Sequence, residues 1–261
     1  MINNQDDSTM QLYPKVSVIT ASYNSAKALA YTIEQMRNVT YPDLEFIVID
    51  GGSSDETAEL LRKSQDIVTK WISEKDKGIY DAWNKGLALA TGEWIAFVGA
   101  GDYYLPNGIQ SYIDYIKAQP RRLDFCSSQI EIFSEDGGPS RVVGAPWNWD
   151  TFRRYMNVAH VGALHRRQLF QEYGKFSSDL KVVGDYEFLC RPGPDLQAGY
   201  FKSITARMVM GGVSNGFYGQ EELMKVKVKM GLRTPLESKW DYWIAITKLK
   251  IRNLISTGPK F

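Results

Sequence analysis

Two apolar runs in the first half of the chain each stop at a carboxylate. Leu44–Ile49 runs into Asp50 and the turn Gly51–Ser54, and Trp94–Val98 runs through Gly99, Ala100 and Gly101 to Asp102. A charge at the end of a buried segment costs free energy unless something compensates it. Two acids delivered this way point to a site for a charged or polyhydroxyl ligand, with or without a metal ion.

Short β-branched and aromatic runs that break into Gly-rich turns read as buried parallel strands, and ligands of open α/β sheets sit beyond the carboxyl ends of such strands. The strands fall at 16–21, 45–50, 67–72 and from Trp94 onward. Between them the pattern predicts helices over 25–37, from the capping string Ser53–Thr57 through Leu61, and over 79–90. In the last, Ile79, Ala82, Trp83, Gly86, Leu87 and Ala90 share one face at 3.6 spacing. This β-α-β-α-β-α-β order predicts a parallel sheet with right-handed crossovers.

After Asp102 the pattern changes. A helix runs from Pro106 to about Lys117, and 123–133 pairs antiparallel with 141–143. A Trp- and Asn-rich loop, a helix near Phe152, a strand at 160–165, a loop and helix across 176–190 and a last strand at 200–210 follow.

At 261 residues the chain suits one domain with an appendage, and its 44% hydrophobic and 13% aromatic content excludes a disordered protein. Cys126 and Cys190 are the only cysteines, which excludes a thiolate metal centre and suits a reduced compartment. The polar first fifteen residues are unlike a signal peptide, and no apolar run reaches the roughly 18 residues of a membrane span. No GxGxxG follows the first strand and no GxxxxGK[ST] occurs, which argues against a dinucleotide or P-loop enzyme.

Four segments in order, 16–24, 46–55, 74–86 and 92–102, together resemble the nucleotide-sugar-binding half of family 2 glycosyltransferases, enzymes of the GT-A fold. The resemblance is dense over 14–118 and thinner to about 215. It implies a GT-A architecture: a Rossmann-like, mostly parallel sheet flanked by helices, with a small antiparallel element and a helical C-terminal tail. The domain spans 14–215, with a nucleotide-sugar half (14–118) and an acceptor half (119–215), and 216–261 forms a basic amphipathic tail. The implied reaction is inverting transfer of a hexosyl or N-acetylhexosaminyl group from a nucleoside diphosphate-sugar, UDP first, to a hydroxyl of a saccharide or polyprenyl-linked acceptor in surface polysaccharide synthesis. No nucleic-acid partner is implied.

Residue by residue, Ala21 to Tyr23 would line the base and ribose pocket, and Asp50 matches the acid that hydrogen-bonds the base. A fixed carboxylate accepts the imino N–H of uracil and rejects bases lacking it. The other reading of Asp50 is a cap on its own turn, a role that Asp55 suits better. Lys75, Asp76, Lys77 and Asp81 occupy the segment that holds ribose and diphosphate, or form a solvated loop. Asp102 matches the metal-binding acid for Mg²⁺ or Mn²⁺, which needs only one or two carboxylates beside phosphate oxygens. Family members usually carry Asp-X-Asp or Asp-Asp there, whereas Gly101 precedes Asp102 here. Asp185, in the segment 182–191, matches the catalytic base that takes the acceptor proton. Its neighbour Glu187 suits a helix N-terminus, or joins His160 and Arg166 as an acceptor or phosphate contact. His160, Arg166 and Arg167 resemble a stretch that contacts diphosphate or acceptor; a buried core histidine and surface arginines are the other reading. A non-catalytic nucleotide-sugar or glycan binder on the same scaffold is the competing function.

Charge is uneven. Residues 225–261 hold nine Lys/Arg against Glu237 and Asp241, about +7, while the remainder is about −6. Over 237–255, Trp240, Trp243, Ile244, Thr247, Ile251, Leu254 and Ile255 share a helical face, with Lys248, Lys250 and Arg252 mostly off it. Such a helix suits an anionic membrane interface, or it packs on the catalytic domain or a second subunit. The expected setting is cytoplasmic, peripheral on the inner face of the plasma membrane.

Overall fold

A computed structural model describes residues 13–134, 137–211 and 217–256, with residues 217 and 248–256 given by backbone alone. Strands β1 (Val16–Ser22), β2 (Leu44–Asp50), β3 (Lys70–Ser73) and β4 (Trp94–Gly99) alternate with helices α1 (Ala26–Met36), α2 (Thr57–Lys63) and α3 (Ile79–Leu89). The strands pair in parallel in the order β3-β2-β1-β4, with Ser22 beside Asp50 and Asp50 beside Ser73. Side chains alternate between two cores. Val16, Val18, Val48 and Val98 face the core beneath α1, and Ile19, Ile47, Ile95 and Phe97 face the core beneath α3. Each fully buried aliphatic or aromatic side chain contributes roughly 1.5–3 kcal/mol, so both faces are covered, as a parallel sheet requires.

The second half extends the same sheet by antiparallel pairing. The added elements are β5 (Tyr103–Tyr104), α4 (Gly108–Lys117), β6 (Phe125–Phe133), β7 (Arg141–Val143), α5 (Trp149–Phe152), β8 (Leu164–Arg166), α6 (Arg167–Glu172), α7 (Gly184–Cys190) and β9 (Ala198–Val209). β8 lies antiparallel to β4 and to β6, β9 runs parallel to β6, and β5 closes the edge against β9. β7 pairs antiparallel with β6, as the sequence predicts.

The strand expected at 160–165 is shorter and later. Ala163 N–H bonds back to the His160 carbonyl and Gly162 takes φ +75°, so a turn occupies 160–163 and the strand begins at Leu164. Two helices close the described chain: α8 (Phe217–Lys229), which the pattern of apolar residues does not reveal, and α9 (Pro235–Ser256).

Candidate active site

The carboxyl ends of β1 and β2 are joined by a latch between their loops. Asn24 adopts φ +47°. Its backbone N–H donates to Ser53 Oγ (2.7 Å) and its side-chain oxygen accepts from Ser54 N–H (2.8 Å). Asp55 accepts from Ala26 N–H (3.0 Å) and from Thr57 N–H (3.1 Å), so one carboxylate caps α1 and steadies the turn before α2.

Asp50 lies beneath this latch with no exposed surface. Its carboxylate accepts from Ser53 N–H (3.1 Å), from the Ser53 hydroxyl, and from the Ser73 hydroxyl (2.5 Å). The turn-capping role is therefore filled. The surface above is made by others: a Cβ placed on Gly51 would meet Asp76 Oδ2 at 2.5 Å and the Tyr23 ring at 3.3 Å. Tyr23 is 62% exposed and offers a ring face beside this carboxylate. Asp76 also accepts from Gly78 N–H (2.8 Å).

The loop bearing Lys75 and Lys77 is held from two sides. Lys85 Nζ donates to the Lys75 carbonyl (2.7 Å) and Lys181 Nζ to the Lys77 carbonyl (2.5 Å), while both loop lysines stay exposed. Asp81 departs from its expected nucleotide contact. Its carboxylate turns back to accept from Lys77 N–H (3.0 Å), closing the first turn of its own helix.

Asp102 sits at the end of β4, 7% exposed. Among the described residues its oxygens accept only backbone N–H groups, from Gly99 (3.2 Å) and Val209 (2.9 Å). Burial pushes its carboxyl up to about 7, against the pull of those two amides. Gly101 holds φ +97°, and an added Cβ would press on Val209 at 3.0 Å. A second carboxylate at that position would be strained, which disfavours an Asp-Asp pair here. Among the described residues no three His, Cys, Asp or Glu side chains form a metal cluster. A desolvated carboxylate with spare lone pairs fits one ligand of a cation that a diphosphate also holds, and does not form a closed metal site.

Asp185 opens α7. Tyr186 N–H donates to its Oδ1 (2.9 Å), and the Tyr80 hydroxyl shares its one proton between that oxygen (3.0 Å) and the Val182 carbonyl (2.7 Å). Burial raises its carboxyl above the ordinary range despite these donors. Its Oδ2 lies 3.8 Å from His160 Nδ1. Gly184 allows the close approach: a Cβ there would overlap the Tyr80 ring at 2.8 Å. His160 packs against Trp83 (5.6 Å) and Phe97 (5.9 Å), two rings that also touch each other, and burial pushes it down to about 3, so it is neutral at physiological pH. It is thus a buried core histidine behind Asp185, not an exposed phosphate contact. β4 gathers both acids: Phe97 backs His160 beneath Asp185, and Gly99 holds Asp102.

Two expected site residues lie elsewhere. Arg166 pairs with Trp94 at the opposite end of β4, stacks on that indole at 5.1 Å and meets Glu93 at 3.2 Å. Antiparallel pairing of β8 sends it to the amino end of the parallel strands, away from phosphate. Glu187 forms a two-bond pair with Arg191 (3.1 and 2.6 Å) that staples α7 to the Tyr173 and Lys175 carbonyls. Ala21 is the last but one residue of β1, beside Ile49.

Three residues escape the sequence reading. Glu222 of α8 accepts from the N–H groups of Lys181 (2.8 Å), Val182 (2.7 Å) and Val183 (3.0 Å), pinning the segment that leads into Asp185. Tyr80 reaches Asp185 across the two halves, and Lys181 bridges them at Lys77. Only the helical register of Tyr80 was visible beforehand; the other two depend on how α8 packs. A cleft of about 590 Å³ opens at Asp185, bounded by 154–156 and the inner sides of α8 and α9.

On α9, Trp240, Trp243 and Ile244 are 65%, 61% and 47% exposed, so this face is not packed on the catalytic domain. Ile251, Leu254 and Ile255, with Lys248, Lys250 and Arg252, lie outside the residues whose side chains are described. No described helix is long and apolar enough to cross a membrane.

Residues 17–171 match the family model described as Glycosyl transferase family 2. The chain belongs to that family. A PGL/p-HBAD biosynthesis glycosyltransferase of Mycobacterium tuberculosis is 27% identical over 228 residues, spanning 84% of this glycosyltransferase and 88% of the relative. An uncharacterised glycosyltransferase of the same species is 30% identical over 184 residues, 68% of each chain. Among solved structures, S. aureus TarS 1–349 in complex with UDP-GlcNAc has a TM-score of 0.67 at 18% identity, covering 87% of this chain and 69% of that one. The mannosyltransferase PcManGT from Pyrobaculum calidifontis, in complex with GDP-Man and Mn²⁺, has a TM-score of 0.64 at 16% identity, covering 95% and 77%. The fold of this glycosyltransferase is GT-A.

Proposed function

We propose that this glycosyltransferase moves one sugar from a nucleoside diphosphate-sugar, UDP first, to a hydroxyl of a saccharide or lipid-linked acceptor, inverting the anomeric carbon. Asp185 carries the reading: a desolvated carboxylate, fixed by Tyr80 and the start of α7, facing a cleft of about 590 Å³. Desolvation makes it a stronger base than an ordinary carboxylate. Asp185 takes the acceptor hydroxyl proton as that oxygen attacks the anomeric carbon. The bond to the diphosphate breaks on the opposite face, and the nucleoside diphosphate departs. Tyr80 orients the carboxylate, and the neutral His160 behind it keeps water from that side.

On the donor side, Tyr23 and Gly51 offer the platform for the base, with Asp76 at its edge. Asp50 holds that turn from below and reaches the base only by exchanging the Ser53 hydroxyl for a base N–H. Lys75, Lys77 and Lys181 supply positive charge for the diphosphate. A Mg²⁺ or Mn²⁺ held by Asp102 and the diphosphate would neutralise charge on the leaving group. The Mn²⁺ and the donors bound by the structural neighbours support this assignment. The exposed Trp240–Trp243 face beside Lys239 supports peripheral contact with an anionic membrane during surface polysaccharide synthesis, and a homodimer through 225–255 is the competing use of that face.

The experiment is a panel of nucleotide-sugars with and without Mn²⁺, read by thermal stabilisation and by release of nucleoside diphosphate. Stabilisation and release with one donor, the release abolished in Asp185→Asn, are expected. Donor binding without turnover under any condition would mark a non-catalytic binder. For the tail, sedimentation with anionic liposomes at low and high salt is expected to show salt-sensitive binding; a stable dimer that ignores liposomes would favour subunit packing.

A further inference from the structure

The cleft that contains Asp185 is charged on another part of its wall. Arg154, Lys227 and Asp241 line it together, and Arg233 lies against the same acid. Asp241 is shared by three cations: Arg233 Nε at 3.1 Å, Lys227 Nζ at 3.3 Å and an Arg154 terminal nitrogen at 3.9 Å. Glu237 satisfies only the far side of Arg233, at 3.1 Å. Arg154 is thus left beyond hydrogen-bond reach of the shared carboxylate. The Lys227 side chain is 4% exposed and, among the described residues, has this one long contact for three N–H donors. Burial lowers the Lys227 ammonium below its ordinary value, Asp241 pulling the other way. Lys227 is desolvated with an incomplete set of partners, and Arg154, 51% exposed at the mouth of the cleft, adds a cation that the shared acid does not bind, so an anion entering here meets two cations with free N–H donors. The remaining wall is apolar, with Met156, Val183, Leu223, Ile244 and Ala245.

Building on the reading of this cleft as the acceptor site, we infer that the acceptor carries an anionic group, a phosphate or carboxylate, held by Arg154 and Lys227 next to an apolar segment of the same molecule. The anion then fixes which end of the acceptor faces Asp185. Planar guanidinium suits a phosphate or carboxylate with two parallel bonds, and the ammonium adds a point charge.

The test uses the full chain and four probes below their micelle concentrations: octyl phosphate, octanoate, inorganic phosphate and octanol. Binding is read by calorimetry at two salt concentrations. Expected are at least tenfold tighter binding of octyl phosphate or octanoate than of octanol, and about tenfold weakening of that preference in Arg154→Gln. Inorganic phosphate binding that Arg154→Gln weakens also supports the anion site and assigns it to the charge alone. Equal binding of octanol and the anionic probes, no binding of any anion, or a preference unchanged in Arg154→Gln overturns the inference. The wild-type comparison stands even where the variant melts early. Donor binding is measured separately in the wild type. Its absence removes the proposed function, whereas donor binding with no anion preference removes only this inference.

Discussion

Asp50 and Asp102 end next-but-one strands of the same parallel sheet, yet their surroundings differ in kind. Asp50 has no exposed surface and takes one amide and two hydroxyls from the turn it supports and from β3. Asp102 is almost as buried but among the described residues receives two backbone amides alone, and its carboxyl is pushed up to about 7. The sheet offers both acids the same place; the loops decide which charge is compensated by the fold and which is left for a ligand to compensate. Asp185 belongs with Asp102 in this respect, since burial outweighs its donors as well.

The largest expected effect is therefore at Asp185. Asp185→Asn should lower kcat by roughly 10³-fold with donor affinity retained, measured by steady-state rates and donor titration. Retained turnover would move the base elsewhere and group Asp185 with the compensated acids. Activity in the wild type should rise with pH through a midpoint above the ordinary carboxylate range, because the base must be ionised.

At Asp102, Asp102→Asn should cost about 10²-fold in kcat/KM and yet raise stability at pH 8. The folded carboxyl binds its proton more tightly than the unfolded one, near 7 against 3.8. The contribution of Asp102 to stability is then fullest below about pH 4 and is lost as pH rises toward 7, by on the order of 4 kcal/mol. Urea melts across that window should show the stability of the wild type falling relative to Asp102→Asn as pH rises. A difference between the two that does not change with pH would show that the fold compensates the Asp102 charge.

Glu222→Ala leaves three amides at Lys181–Val183 without their acceptor. About 2–3 kcal/mol of stability and at least tenfold in kcat should go together, read by denaturation and rates. Loss of stability with unchanged kcat would show that α8 holds the fold and not the base. At Asp50, Asp50→Asn should cost about 1–2 kcal/mol, and Ser53→Ala about 1 kcal/mol. If the acid only caps its turn, both variants bind donor alike; a larger loss of donor affinity in Asp50→Asn alone would give it the base. The smallest effect is Gly101→Ala, expected to cost about 1 kcal/mol through its φ of +97° and the Val209 contact, with activity nearly retained.

The first half of the fold was legible because each element there is local. Apolar alternation marked the strands, Ser-Ser-Asp marked a capped turn, and four segments in order carried the family resemblance. Asp55 as a cap and Gly86 as a packing residue against Ile19 follow from the same local rules. The second half was less legible because its pairing is long-range. Antiparallel β8 carries Arg166 to the opposite end of the sheet, and a turn at 160–163 carries His160 beneath Asp185. Neither outcome can be read from spacing, since both depend on strand direction. The tail shows the same division: the Trp240–Trp243 face was visible as a periodicity, and its exposure was not.

The sequence by itself determined the family, the parallel half of the sheet and the strand-end positions of Asp50 and Asp102, because periodicity and turn chemistry act over a few residues. Tertiary structure alone decided which acids are compensated, that α8 pins the approach to Asp185, and that Arg154 and Lys227 share one carboxylate inside the cleft. Those properties arise from burial and from partners distant in the chain, and electrostatic compensation is set by what packs against a charge rather than by what precedes it.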